Sequence, residues 1–123
     1  MVAAKPFFFI RAYPGGPKTL CCEPVMDWLA FHGDAHGLDR RAQRLILARL
    51  GFWRGCQAVM ARLGRALVHP VGLEAGEAVI FRLPDGRACC GLALGSGAVA
   101  GFTAGILYAG RFPVLRVARK AIP

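Results

Sequence analysis

Two pairs of adjacent cysteines are the residues of this chain best suited to chemistry. A thiol becomes an efficient nucleophile only when a neighbouring base or positive field converts it to thiolate. Proline fits a helix only in its first turn, so Pro24 places Cys21 or Cys22 at or beside a helix N-cap. Free N–H groups and the helix dipole favour thiolate there. Cys21 is therefore a candidate nucleophile, and a small core residue is the alternative.

Three helices are predicted in the first half of the chain. The first follows the Cys21-Cys22 pair and ends at Gly33. The second spans residues 40–50, with Asp39 as its N-cap and Gly51 as its stop. Apolar residues at helical spacing predict a third helix over residues 55–67.

Strands are predicted in the second half. Residues 78–83 and 88–94 form a hairpin around an Asp-Gly turn, and Cys89 and Cys90 lie in its second strand. Further short strands are expected at 99–103, 106–108 and 114–118. Helices followed by an antiparallel sheet predict the α+β class, with N-terminal helices packed on a small sheet.

The chain is expected to fold as one domain, because 123 residues are too few for two cores. An N-terminal arm (1–18), extended over residues 7–10, precedes a helical part (19–67) and a β-sheet part (76–122). The longest apolar stretches fall well short of the roughly 20 residues that span a bilayer, so no membrane span is expected.

Composition restricts the environment and the partners. The odd number of cysteines, five, does not fit a spaced disulfide framework and favours a reducing compartment during synthesis. The net charge of +9 is compatible with an anionic envelope polymer, nucleic acid, an acidic protein or an ordinary solvated face. The chain has no recognised nucleic-acid motif, which argues against nucleic acid.

The order of these features resembles the NlpC-type cysteine peptidases of the papain-like group. Cys21-Cys22 open a helix that reaches Trp28-Leu29, two more helices follow, and Gly76-Glu77 lead into the hairpin. The likeness, over nearly the whole chain, is greatest to the small, divergent branch encoded in tail modules of phages and gene transfer agents. It implies a papain-like core that cleaves cell-wall peptides, with Cys21 as nucleophile, a histidine in the second hairpin strand and a polar third residue on the next strand.

The sequence departs from that pattern at the base. The family histidine stands two residues before a strand glycine, and counting back from Gly91 gives Cys89. A thiol is no comparable general base at neutral pH. Leu20 stands where a polar residue usually precedes the nucleophile, and Thr103 is the one polar residue available on the strand that supplies the third catalytic residue. The family helix that precedes the site is not expected here either. The resemblance therefore implies a degenerate site.

Other residues could supply a base or a metal site. His32 and His36 are expected to point away from Cys21, and His69 has the only open path, although a surface or core role is the default. Adjacent cysteines do not match the Cys-x(2 to 4)-Cys spacing of zinc sites, so no metal or cofactor is expected. The resemblance places Cys21 opposite Cys89, and the two could bond on oxidation if their Cα atoms lie within about 7 Å.

The function expected from these observations is structural. We expect a component of a phage or phage-like tail near the tip and hub, made in the host cytoplasm and located in the virion. It would contact hub or distal tail proteins through residues 5–13, whose Phe7, Phe8 and Phe9 are expected to be exposed, and through residues 112–123. The individual docking residues are Phe7, Phe8, Phe9, Arg11, Phe112 and Arg116.

Two other classes of function stay open. One is an active cell-wall peptidase or amidase that opens peptidoglycan during genome delivery, with Cys21 as its nucleophile. The other is a basic module that binds DNA or an anionic envelope polymer.

Overall fold

A computed structural model of the chain describes residues 4–33 and 37–120. Within these residues, four helices precede a six-stranded sheet, so the chain is α+β as predicted. His36 and the ends of the predicted N-terminal arm and β-sheet part lie outside the described residues. The elements are α1 (Ala4–Arg11), α2 (Cys22–Phe31), α3 (Arg40–Leu50), α4 (Phe52–Ala61), β1 (Arg65–Val68), β2 (Ala78–Arg82), β3 (Ala88–Gly95), β4 (Ala98–Thr103), β5 (Ile106–Gly110) and β6 (Val114–Lys120).

The sheet is antiparallel with the strand order β1-β6-β2-β3-β4-β5. The last strand, β6, is inserted between β1 and β2. In the β2–β3 hairpin, Phe81 pairs with Cys89 and Ile80 with Cys90. Because side chains alternate along a strand, these two cysteines point to opposite faces of the sheet.

Each face of the sheet carries its own hydrophobic cluster. On one face, Val25, Met26 and Met60 of the helices pack with Leu92 and Ala100. On the other face, none of the described helix residues contributes a buried side chain to the cluster. That cluster consists of Val79, Phe81, Leu83, Cys89, Ala93, Val99 and Val117. Cys21 contacts both clusters from the margin of the sheet.

The N-terminal expectation was wrong. Residues 7–10 are not extended but belong to α1, and a helix therefore does precede the cysteine pair. Ile10 is fully buried, and the ring of Phe9 lies edge-on to Trp28 at 5.4 Å between centroids. The reason is tertiary: α1 packs against α2, β3 and β4, which favours a helix where the short aromatic run alone favoured a strand.

The third helix was predicted too far along the chain. It spans Phe52–Ala61, with Gly51 as its N-cap, and Gly64, whose φ is +69°, lies in the turn before β1. Residues Arg65–Val68 form β1 instead, because they pair with β6. The second helix is confirmed: the Ala42 N–H donates to the Asp39 carboxylate at 2.7 Å.

Gly91 of β3 permits the close approach of β4, and its replacement tests that packing. A Cβ there would lie 2.1 Å from the Ala100 carbonyl oxygen and 2.7 Å from the Phe81 ring. We expect Gly91→Ala to lower the free energy of unfolding by about 3 kcal/mol, because neither backbone nor buried ring can move away cheaply. Urea unfolding measures this.

Gly16→Ala is the matched control, because nothing lies within 4 Å of a Cβ at that position. It should change stability by no more than about 0.5 kcal/mol. Equal losses in the two variants would contradict the packing described for β3 and β4.

Candidate functional site

Cys21 occupies the N-cap of α2, as the sequence predicts. The Cys90 N–H of β3 donates to its sulfur at a donor–acceptor distance of 3.3 Å. Pro24 lies in the first helical turn, where its missing N–H leaves no carbonyl unpaired. The thiol of Cys21 is thus held between the start of a helix and the margin of the sheet.

A buried carboxylate that sequence reasoning missed fixes this turn. Glu23 is 1% exposed and accepts the Leu20 N–H at 2.6 Å. The Arg44 guanidinium of α3 donates to both its oxygens, at 3.1 and 3.2 Å. The spacing of Leu20 and Glu23 resembles a capping box, which was the available signal, but Arg44 could be paired with Glu23 only through the fold.

Cys21 packs against the cluster that contains Cys89, and the Cys89 thiol donates to the Cys90 carbonyl oxygen at 3.4 Å. The neighbouring Cys89 thiol lowers the pKa of Cys21 the most, burial opposes that shift, and the Cys90 N–H lowers the pKa further. The proximity of Cys21, followed by burial, raises the pKa of Cys89. The proton therefore stays on Cys89, and Cys21 is the more acidic thiol of the pair.

A second thiol pair lies beside the first and was not foreseen. Cys56 of α4 lies beside Cys90, and that contact together with burial raises the pKa of Cys90. Cys22 donates to the Gln43 amide oxygen at 3.7 Å, and burial raises the pKa of Cys22. All five cysteines are free thiols. Cys89 and Cys90 thus meet different partners on the two faces of β3.

An open pocket of about 550 Å³ lies over Cys21. Its apolar walls include Leu20, Leu47 and Phe52, and Cys22 and Cys56 line it as well. Its polar side chains include Lys18, Thr19 and Thr103. Cys89 is not among the lining residues and is fully buried, so it lies behind Cys21 as seen from the pocket. None of the described lining residues is His, Asp or Glu.

The two described histidines lie away from this pocket. The His32 ring packs on Trp28 at 4.0 Å between centroids, and its Nδ1 lies 2.9 Å from the Trp28 carbonyl oxygen. His32 follows the last residue of α2, roughly 16 Å of helical rise from Cys21. His69 is exposed and follows β1. Among the described side chains, no group of three or more His, Cys, Asp or Glu residues is arranged to hold a metal ion.

Helix α2 is linked to the sheet near Gly76 and Glu77. The Trp28 indole N–H donates to the Gly76 carbonyl oxygen at 2.9 Å. Glu77 accepts two hydrogen bonds from Arg119 of β6, at 2.9 and 3.1 Å. The Arg119 guanidinium lowers the pKa of Glu77, although partial burial opposes that shift.

The proposed docking residues differ in exposure. Phe8 is 57% exposed and Arg11 is exposed, but Phe7 and Phe9 are half-buried against the helix-side core, so the expectation of three exposed phenylalanines was wrong. Half-buried Phe112 stacks on Phe81 at 5.4 Å. Arg116 is half-buried and donates to the Leu115 carbonyl oxygen at 2.6 Å.

No protein-family model matches the chain, and no match is found among the curated proteins or the solved structures. In the described part of the chain, no helix has the length and apolar character needed to cross a membrane.

Removing the buried carboxylate tests how Cys21 is positioned. We expect Glu23→Ala to lower the free energy of unfolding by about 2 kcal/mol, because the Leu20 N–H and the half-exposed Arg44 lose their partner. Urea unfolding checks this, with Glu74→Ala as control because Glu74 is exposed. A loss in Glu74→Ala as large as in Glu23→Ala would contradict the assignment.

The Glu77–Arg119 ion pair should make stability depend on pH. A lowered carboxyl pKa means that the folded state binds fewer protons than the unfolded one, so this contribution is complete above the ordinary value of 4.5 and is lost as pH falls through the lower folded value. We expect the stability difference between wild type and Glu77→Gln to be largest near pH 7 and to shrink in acid. In an Arg119→Gln background the difference should be small at every pH.

Proposed function

We propose that this chain is a structural component of a phage or phage-like tail, near the tip and hub, built on an NlpC-like fold without the peptidase's proton acceptor. One observation carries the proposal. Cys89 stands at the position expected for the family histidine, and its protonated thiol donates to the Cys90 carbonyl oxygen at 3.4 Å, so it does not accept a proton from Cys21.

A peptidase of this type needs a group that takes the proton of the thiol and returns it to the leaving amine. Cys89 is buried with a raised pKa, so it stays protonated at neutral pH and acts as a donor. Loss of general-base catalysis costs on the order of 10² to 10⁴ in rate. The pocket as described holds no imidazole or carboxylate to replace it.

Several features agree with the resemblance on which the tail assignment rests. Cys21 is an N-cap residue, α1 precedes it, and β2 and β3 form the hairpin that carries Cys89. Thr103, the residue left for the third position, lines the pocket over Cys21.

The surface suits a protein packed among larger subunits. Phe8, Phe31, Leu45 and Val71 are each more than half exposed, although hydrophobic side chains of this size are usually buried. The net charge of +9 favours acidic partner surfaces, and peptidoglycan or another anionic envelope polymer is a further possible contact.

Quantitative mass spectrometry of purified tail particles tests the assembly role. We expect this chain in a fixed stoichiometric ratio to the hub protein, and we expect particles made without it to lack a complete tail tip in electron micrographs. Complete, infectious particles without the chain would refute the proposal.

The thiol under the pocket favours a second candidate, an active cell-wall peptidase or amidase. Hydrolysis of purified peptidoglycan by the wild type and by Cys21→Ala separates the two functions, with a family enzyme that keeps its histidine as positive control. The structural proposal predicts no release of fragments above the Cys21→Ala level. Release that depends on Cys21 would support the enzyme.

A further inference from the structure

We infer that Cys21 and Cys89 form a redox-active dithiol pair, in which Cys21 attacks a small disulfide in the pocket and Cys89 completes the exchange. This site goes beyond the proposed tail function and does not depend on it. The candidate substrate is a low-molecular-weight disulfide that carries negative charge.

This inference rests on the positions of the two thiols, because Cys21 lies at the surface of the pocket and Cys89 lies beneath it. Cys21 is partly exposed and lines the pocket of about 550 Å³, whereas Cys89 is fully buried, does not line the pocket and belongs to the cluster that Cys21 contacts. A substrate can therefore reach the first sulfur but not the second. An accessible attacking thiol with a buried thiol beside it suits disulfide exchange, whose rate depends on access to the attacking sulfur.

The two thiols differ in acidity, and the accessible one is the more acidic. The Cys90 N–H donates to the Cys21 sulfur at 3.3 Å, and this bond together with the neighbouring Cys89 thiol stabilises a negative charge on Cys21. The Cys89 thiol keeps its proton until a bond to Cys21 can form. Attack therefore begins at Cys21.

The other cysteines have different contacts. Cys22 is buried and donates to Gln43, and the Cys90 thiol lies beside Cys56. Cys56 also lines the pocket, so it is the only rival attacking thiol with both a pocket position and a thiol partner among the described residues. The experiment below distinguishes the two pairs.

The pocket also indicates which disulfide fits. Its walls are mainly apolar, and the exposed ammonium group of Lys18 is the only charged side chain among the described lining residues. A small disulfide with an apolar portion and a carboxylate near Lys18 satisfies both features.

The reaction balances without a further reagent. The Cys21 sulfur attacks one sulfur of R–S–S–R, forms a mixed disulfide and releases the first thiolate. The Cys89 sulfur then loses its proton, attacks the Cys21 sulfur and releases the second thiolate. The two protons of the cysteines end on two R–SH molecules, so two electrons pass from the protein to the substrate disulfide.

Mass spectrometry of the full chain in glutathione redox buffers tests the inference. The protein is equilibrated at a series of ratios of reduced to oxidised glutathione, blocked with iodoacetamide and digested with trypsin without reductant. Cleavage after Lys and Arg gives peptide 19–40 with Cys21 and Cys22, peptide 55–62 with Cys56 and peptide 88–111 with Cys89 and Cys90.

We expect oxidising buffers to join peptides 19–40 and 88–111 and to leave Cys56 alkylated. Because each joined peptide holds two cysteines, variants must identify the pair. Cys21→Ala should abolish the link, and Cys89→Ala should trap one glutathione on peptide 19–40. Cys22→Ala and Cys90→Ala are the matched controls, and both should keep the link.

Three outcomes would overturn the inference. One is a native protein that keeps five free thiols at every ratio while urea-unfolded protein oxidises. Another is a link to peptide 55–62 that forms in place of the expected one. The third is a link that persists in Cys21→Ala. Circular dichroism of each variant separates loss of the link from loss of the fold.

Discussion

The contact between the first turn of α2 and strand β3 is the constraint on which the site depends. Cys21 is the N-cap residue of α2, and its sulfur accepts an N–H group of β3 rather than one of the helix. The Glu23 carboxylate ties the same turn to α3. Small displacements of any of the three elements would separate Cys21 from Cys89. The thiol pair is therefore a property of the whole α+β arrangement and not of the cysteine pattern alone.

Local signals were enough to predict some elements. Asp39 and Gly51 mark the two ends of α3, and the Asp-Gly turn connects the two strands of the hairpin. Both were predictable because caps and turns depend on residues a few positions apart. By contrast, α1 and β1 could not be derived locally. The first is helical because its apolar side chains pack on α2 and the sheet, and the second is a strand because β6 lies beside it.

The same distinction applies to the site. The N-cap position of Cys21 followed from Pro24, and its pairing with Cys89 followed from a family resemblance. The contacts of Cys90 with Cys56 and of Glu23 with Arg44 join separate elements, and no spacing in the sequence encodes them. In the proposed NlpC-like site, a second thiol stands where the family has an imidazole, and a thiol is a weaker proton acceptor but can donate electrons. A fold proposed to have lost hydrolysis can thus keep a reactive centre of another kind.

The position of β6 has a consequence for synthesis. Since β6 separates β1 from β2, both strands lack a neighbour on that side until residues 114–120 have left the ribosome. Unpaired strand edges invite association with other chains. The helices and the β2–β3 hairpin can form earlier from contacts close in sequence, but closure of the sheet must wait until β6 has been synthesised. A chain truncated before β6 would expose two strand edges within the sheet, and a nascent chain would benefit from a chaperone during that interval.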